Sequence, residues 1–84
     1  MTAQLTLYST VWCGDCRRLK GYLDSRSIEY NDIDIETDES AAEWVIKING
    51  GMRSIPVIVF PDGTHLTEPS NKAVEEKLAA LAIV

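Results

Sequence analysis

The sequence predicts one α/β domain spanning residues 1–84, with the element order β-α-β-α-β-β-α and a four-stranded mixed sheet flanked by three helices. Two observations predict it. Short apolar or alternating segments are separated by amphipathic segments, and Pro61-Asp62-Gly63 marks a turn between the last two strands. A chain of 84 residues suffices for one domain with one modest core. Strands that alternate with helices imply right-handed parallel crossovers, and the closing hairpin is expected to add an antiparallel edge.

The first strand and the first helix flank the two cysteines of the chain. Residues 4–8 form a short apolar and β-branched run, which is typical of a buried strand. From residue 15 the apolar side chains recur at helical spacing, and this pattern predicts an amphipathic helix to about residue 26. The inward face expected for this helix consists of Cys16, Leu19 and Leu23.

The second strand and the second helix follow. Residues 28–35 alternate between apolar and acidic side chains, with Ile33 and Ile35 inward, and this alternation predicts a strand. Residues 38–40 offer an N-cap and first-turn acids for a helix whose apolar positions run to Ile48. Asn49-Gly50-Gly51 is a strong signal for the end of that helix.

The last third of the chain predicts a hairpin and a third helix. Residues 55–60 are apolar throughout and indicate a buried strand, which the turn at 61–63 joins to a second strand over 64–67. Ser70 is predicted to cap the third helix. The apolar stripe expected on this helix consists of Val74, Leu78, Leu81 and Ala82.

Composition and charge exclude several classes of function. Eight basic and thirteen acidic side chains give a net charge of −5, which argues against non-specific binding to nucleic acid. No apolar run approaches the roughly 20 residues that span a bilayer, so no membrane association is expected. The first residues lack the basic and apolar regions of a secretory signal, and we therefore expect a cytoplasmic protein.

Cys13-Gly14-Asp15-Cys16 lies where the first strand meets the first helix. In a reducing compartment such a pair indicates redox chemistry or metal binding rather than a structural disulfide. A sulfur at the helix N-cap meets free backbone N–H groups and the helix dipole, both of which favour a thiolate. We therefore expect Cys13 to attack and Cys16 to resolve; Arg17 and Arg18 would assist Cys13, and Asp15 would oppose them.

Two other interpretations of the pair are a buried inert couple and half of a zinc site. A zinc site needs more ligands than one C-x-x-C motif supplies, and the single histidine, His65, is predicted on an edge strand far along the chain. The βαβ context is the one in which this motif indicates redox function, so no metal is expected.

The sequence resembles the glutaredoxin branch of the thioredoxin superfamily over nearly its whole length. The resemblance rests on Leu7-Tyr8-Ser9 before Trp12-Cys13, on Ile33-Asp34-Ile35, on Ser54-Ile55-Pro56, and on the final hairpin and helix. Within that branch it is similar to the mycoredoxins, actinobacterial relatives that work with mycothiol. The segments that carry this similarity are the cysteine motif with Arg18-Leu19-Lys20, Ala41-Ala42-Glu43-Trp44-Val45, and Asn49-Gly50-Gly51 with Arg53.

The resemblance implies a thioredoxin-like fold, a cis bond between Ile55 and Pro56, and a groove for a small thiol beside Cys13. Pro56 would present the backbone of Ile55 to an extended partner. The thiol-binding residues implied are Trp12, Arg53, Ile55, Pro56, Thr67 and Ser70. Residues 67–70 replace the Gly-Gly-x-Asp segment that receives a glutathione carboxylate in glutaredoxins, and Thr10 replaces a common lysine. Both departures fit a thiol other than glutathione.

Three functions remain open from the sequence. The leading one is a thiol–disulfide oxidoreductase that removes a small thiol, mycothiol or glutathione, from mixed disulfides with proteins. The second is a thioredoxin-like dithiol donor of electrons to ribonucleotide reductase or a peroxidase. The third is an iron–sulfur carrier, which would have to dimerise because one chain supplies too few cysteines. The acidic chain lacks an obvious exposed apolar stripe, so a monomer is expected.

Overall fold

Four strands within residues 4–83 form one sheet. They are Leu5–Ser9 (β1), Tyr30–Asp34 (β2), Val57–Val59 (β3) and His65–Thr67 (β4). In the computed structural model, which describes residues 4–83, they make a sheet in the order β2-β1-β3-β4. β1 pairs with β2 in parallel, whereas β1 with β3 and β3 with β4 are antiparallel pairs. The predicted four-stranded mixed sheet and the predicted element order are confirmed.

Each of the three helices in the described part of the chain begins at a capping side chain. The helices are Gly14–Ser25 (α1), Glu39–Ile48 (α2) and Asn71–Ala80 (α3). The side chains of Cys13, Asp38 and Ser70 each accept a hydrogen bond from the backbone N–H three residues further on, at 3.2, 3.1 and 3.0 Å. These bonds satisfy N–H groups that the first helical turn leaves without a partner. The predicted cap at Ser70 is confirmed, and the first cap is a sulfur.

The core is divided by the sheet into two clusters of buried side chains. Alternation along β3 separates them, because Ile58 belongs to one cluster and Val57 to the other. The first cluster joins the sheet to α1 and α3 and consists of Leu5, Leu7, Leu19, Leu23, Ile58, Phe60, Val74 and Leu78. The second joins the sheet to α2 and to the first turn of α1, and it consists of Cys16, Ile35, Ala41, Ala42, Val45, Ile55 and Val57. Helices therefore cover both faces.

The turn between β3 and β4 has the geometry that its residues predict. Asp62 Oδ1 accepts from the backbone N–H of Thr64 at 3.0 Å and from its hydroxyl at 2.6 Å. Gly63 has a φ of 87°, a conformation that glycine adopts without steric cost. The Phe60 N–H donates to the Thr64 carbonyl at 2.9 Å and closes the loop.

Three predicted strand and helix boundaries are wrong by two residues, and the others that differ do so by one. β3 begins at Val57 rather than residue 55, after Pro56, which has no N–H to donate to a sheet. β2 begins at Tyr30 rather than residue 28, because the Ile28 N–H donates to the Leu23 carbonyl at 2.9 Å and so closes the end of α1. Ala82 is exposed beyond the end of α3, with a φ of 58°, and is no part of its apolar stripe.

The antiparallel part of the sheet is larger than predicted. β3 lies inside the sheet, hydrogen-bonded to β1 on one side and β4 on the other, so antiparallel pairing reaches the centre. Only β1 and β2 among the described strands run parallel. Their shared direction brings the ends of both strands, and the loops that follow them, to the same edge of the sheet. None of the helices within residues 4–83 could span a membrane by length and apolarity.

Candidate active site

Cys13 occupies the N-cap of α1, directly after the loop that leaves β1. Its backbone is extended, with φ −82° and ψ 117°, and its Sγ accepts the Cys16 N–H at 3.2 Å. The sulfur thus takes the place that a serine or aspartate oxygen holds at an ordinary cap. The donated N–H and the positive end of the helix dipole both stabilise negative charge on this atom. Cys13 is only partly buried, so a partner sulfur can reach it.

Cys16 lies one turn further along α1 and is fully buried. Burial, followed by the hydrogen bond with the Cys13 side chain, raises the pKa of the Cys16 thiol from 9.0 to about 12. The thiol therefore stays protonated at neutral pH and cannot begin an exchange reaction. Both cysteines are in the free thiol form. This asymmetry supports the predicted roles, in which the outer sulfur attacks and the inner one resolves.

Two basic residues of α1, Arg18 and Lys20, contact neighbouring elements of the fold. Arg18 donates to the Pro69 carbonyl at 2.9 Å and to Asn71 Oδ1 at 2.5 Å, so it joins α1 to the start of α3. Lys20 is held at 2.9 Å by Asp32, whose other oxygen accepts from the buried Ser9 hydroxyl at 2.7 Å. The charge of Lys20 opposes, in part, the rise in the Cys16 pKa.

The loop before β3 forms the other wall of the site. The Ile55–Pro56 bond is cis, as the family resemblance implies, and Ile55 packs in the same cluster as Cys16. Cys13 packs against that cluster. The Pro56 carbonyl accepts from the Glu68 N–H at 2.8 Å, which fixes the segment after β4 beside the proline.

Asn49 was predicted only as a helix stop, yet its side chain anchors this loop. Its Nδ2 donates to the Ser54 carbonyl at 3.0 Å, and its Oδ1 accepts from the Thr67 hydroxyl at 2.8 Å. The amide thereby joins the end of α2 to both the loop before β3 and the end of β4. No local pattern signals this role, because its partners lie 5 and 18 residues away.

Two of the predicted thiol-binding residues have structural partners. The Thr67 hydroxyl donates to Asn49, and the Ser70 hydroxyl caps α3. Both lie on the segment that the Glu68 N–H ties to Pro56. Their contact with a small thiol stays a prediction.

An open pocket of about 460 Å³ lies at the edge of the site and brings three predicted residues together. Its walls are Trp12, Glu36, Arg53 and Ile55. Trp12, the residue before Cys13, is 64% exposed, and its indole N–H donates to the Glu36 carboxylate. Glu36 was not predicted as a site residue. The parallel pairing of β1 and β2 could have indicated it, because this pairing places the turn after β2 beside the loop that carries Trp12.

The described residues offer little for a metal. Residues 4–83 hold no cluster of three or more histidine, cysteine, aspartate or glutamate side chains that could ligate one. His65 is exposed on β4, as predicted, with its ring edge-on to Trp44 at 6.4 Å between centroids.

A comparison with solved structures identifies the fold. A solved structure of the glutaredoxin-like protein NrdH-redoxin from Escherichia coli superposes with a TM-score of 0.73, covering 86% of this chain and 91% of that one at 21% identity. The fold is thioredoxin-like. With a cysteine pair at the start of its first helix, the chain falls in the class of thiol–disulfide oxidoreductases.

The sequence comparisons identify the family. The glutaredoxin family pattern matches residues 5–66, so the chain belongs to the glutaredoxin family. It is 48% identical over 82 residues to a glutaredoxin-like protein of Mycobacterium tuberculosis, covering 98% of both chains. It is 44% identical over 80 residues to mycoredoxin 1 of Corynebacterium glutamicum, covering 95% of this chain and 99% of that one.

Proposed function

We propose that this protein reduces mixed disulfides between proteins and a small thiol, and that the small thiol is mycothiol. The observation that carries the proposal is the contrast between the two sulfurs. Cys13 is reachable and lies at a helix N-terminus, whereas Cys16 is buried and protonated. Such a site lets the outer sulfur form a mixed disulfide by itself.

The reaction divides into two exchanges. The Cys13 thiolate attacks the small-thiol sulfur, the bond to the substrate protein breaks, and the protein leaves as a thiolate that takes a proton from water. A disulfide between Cys13 and the small thiol remains. A second small thiol, as thiolate, then attacks the bound one and releases Cys13 together with a small-thiol disulfide. In the net reaction one free small thiol is consumed, the substrate protein is released as a thiol, and the disulfide bond passes to a pair of small thiols.

Similarity to mycoredoxin 1 supports mycothiol as the co-substrate, and so do the departures at residues 67–70 from the glutathione-binding pattern. In this proposal Trp12, Arg53, Ile55 and Pro56 line the groove for the bound thiol. Thr67 and Ser70 lie on the neighbouring segment. The protein would act as a monomer in the reducing cytoplasm, where the free thiols are maintained.

The test is turnover of matched mixed disulfides of mycothiol and glutathione by the wild type, Cys13→Ser and Cys16→Ser. We expect Cys13→Ser to be inactive, Cys16→Ser to keep part of the activity, and the wild type to prefer mycothiol. Normal turnover by Cys13→Ser would end the proposal. Equal turnover of both thiols would remove its mycothiol part.

A second candidate is a dithiol electron donor to ribonucleotide reductase or a peroxidase. One observation favours it: the Cys16 N–H donates to Cys13 Sγ, so both cysteines share one helical turn and can close a disulfide. This function requires Cys16 strictly. Complete loss of activity in Cys16→Ser, with reduction of the wild type by a flavoprotein reductase and no small thiol, would favour it over the first.

A further inference from the structure

The loop before β3 is part of a closed ring of three hydrogen bonds. Asn49 Nδ2 donates to the Ser54 carbonyl at 3.0 Å, and the Glu68 N–H donates to the Pro56 carbonyl at 2.8 Å. The hydroxyl of Thr67, the residue before Glu68, donates to Asn49 Oδ1 at 2.8 Å and so closes the ring. The two loop carbonyls that are held in this way lie on either side of a single residue.

That residue is Ile55, whose side chain packs in the core while its backbone stays unpaired. Within residues 4–83 neither its N–H nor its carbonyl forms a hydrogen bond. Ile55 is only 9% exposed, and buried backbone groups rarely lack a partner. An extended partner chain can satisfy both groups, as an added strand does. Because Cys13 packs against the cluster that contains Ile55, the position of this backbone decides how such a chain approaches the sulfur.

Asn49 belongs to the fixed end of α2. Its own N–H donates to the Val45 carbonyl at 3.2 Å, and Val45 is fully buried. The Gly51 N–H donates to the Ile46 carbonyl at 2.8 Å. Gly50 and Gly51 have φ values of 68° and 103°, so the chain turns away from the helix directly after Asn49. The amide of Asn49 therefore reaches the loop from a helix end that is itself anchored in the core.

The stretch between this turn and Ser54 has no other polar contact. Met52 and Arg53 are exposed, and in the described part of the chain neither forms a hydrogen bond or an ion pair. Without the Asn49 side chain the Ser54 carbonyl would lose its partner. Segments with few contacts open locally at low cost, so the Ile55 backbone would then shift more freely relative to Cys13.

We propose that Asn49 is a positioning residue for the exchange at Cys13, and that its amide holds the Ile55 backbone where an extended, disulfide-bearing chain pairs with it. Asn49 thereby determines how fast such a chain is attacked and leaves the reactivity of the Cys13 sulfur itself unchanged. Thr67 acts through Asn49, because its hydroxyl proton is already donated to Asn49 Oδ1. The inference rests on the proposed function, since the partner chain carries the disulfide that Cys13 attacks.

The test is a single exchange in Cys16→Ser protein, where the reaction stops at the mixed disulfide. Each substrate is a disulfide with thionitrobenzoate, whose low thiol pKa makes it the better leaving group. The Cys13 thiolate attacks the other sulfur, the S–S bond breaks, and the coloured thionitrobenzoate anion leaves. The other half is an extended peptide with a central cysteine, the same peptide with the amide nitrogen of that cysteine methylated, or β-mercaptoethanol, which has no peptide group.

The variants open the ring at different bonds. Asn49→Ala removes both bonds of the amide, Thr67→Val removes only the hydroxyl, and Thr67→Ser keeps the hydroxyl. The matched control is Thr64→Val, which removes a hydroxyl that donates to Asp62 Oδ1 at 2.6 Å in the turn at the other end of β4. Urea denaturation establishes that each variant is folded in the assay, and Thr67→Val carries the comparison if Asn49→Ala is not.

We expect Asn49→Ala to lower the rate constant for the peptide about fivefold to tenfold, because the binding position is no longer held before the partner arrives. Thr67→Val should lower it about threefold to fivefold, and should slow Asn49→Ala no further when the two are combined. Thr67→Ser and Thr64→Val should stay within about twofold of the parent protein.

The other two substrates show whether the effect passes through backbone pairing. The rate with β-mercaptoethanol should stay within about twofold in every variant, since this substrate pairs with no backbone group. The methylated peptide lacks one of the two pairing groups. It should therefore react more slowly than the unmodified peptide in the parent protein and should lose less rate on Asn49→Ala.

The inference is overturned if Asn49→Ala leaves the peptide rate unchanged, or if it slows the β-mercaptoethanol substrate by the same factor, because Asn49 would then act on Cys13 or on the whole fold. It is also overturned if Thr64→Val matches Thr67→Val, or if methylation leaves the peptide rate unchanged. The proposed function fails separately, because neither mycothiol nor glutathione takes part in this exchange. A wild type that shows no preference for mycothiol would leave the role of Asn49 in place.

Discussion

Alkylation of the reduced protein should separate the two cysteines by their surroundings. Iodoacetamide reacts with thiolates, and the pKa of the Cys16 thiol is raised from 9.0 to about 12, first by burial and then by the hydrogen bond with Cys13. A rise from 9.0 to 12 lowers the thiolate fraction at neutral pH about a thousandfold, at tenfold for each pH unit. Because Cys16 is fully buried, its reaction with iodoacetamide is slowed further.

The assay follows the mass of the protein with time and locates the label by fragmentation. At neutral pH we expect one label, on Cys13, to complete before Cys16 reacts at a measurable rate. The control is the same protein in concentrated urea, where both cysteines should take up label at similar rates. Equal labelling of Cys13 and Cys16 in the native protein would refute the reasoning.

The same raised pKa has a consequence for stability at alkaline pH. Between pH 9.0 and about 12 the native state keeps the Cys16 proton that the unfolded state loses. Unfolding then releases a proton, so the free energy of unfolding falls as pH rises through this range. Denaturation at several pH values should show the fall in the wild type and a weaker dependence in Cys16→Ala. An identical dependence in both proteins would contradict this explanation.

Two further predictions concern the fold. Ser70→Ala removes the oxygen that accepts the Ala73 N–H at 3.0 Å and should lower the free energy of unfolding, measured in urea, by about 0.5–2 kcal/mol. Ser70→Asp keeps a capping oxygen and should not lower it. A loss of activity in Ser70→Ala without a loss of stability would instead favour a thiol-binding role. Leu7→Ala in the core should lower the free energy of unfolding by about 2–5 kcal/mol in the same measurement. Val11→Ala, at a position 72% exposed, should change that free energy little. Equal losses in the two variants would contradict the assigned core.

Much of the local structure could be read from the sequence because its causes are local. The inward face of α1 follows from helical spacing, and Cys16, Leu19 and Leu23 are all buried as predicted. The cap at Ser70 depends on an N–H only three residues away. The position of Cys13 at a helix start, and hence its candidate role, follows from the same short-range rules.

The pairing of strands that lie far apart in the sequence could not be predicted as well. The antiparallel pairing of β3 with β1 joins residues about fifty positions apart, and no spacing within either segment selects its direction. The ends of strands and helices also depend on hydrogen bonds to other segments. Residue 28 fits a strand by alternation, but its N–H donates to the Leu23 carbonyl at the end of α1. Family resemblance supplied the cis bond at Pro56, which the local pattern would not have revealed.

The sequence by itself determined the elements, their order and the cysteine motif, because capping, periodicity and turn geometry act over a few residues. Only the tertiary structure decided how the motif is surrounded. Glu36 meets Trp12 across 24 positions because two parallel strands end at one edge, and the Cys16 pKa rises because distant side chains remove water from its sulfur. Hydrogen bonds and desolvation act through space, so they depend on which residues the fold brings together.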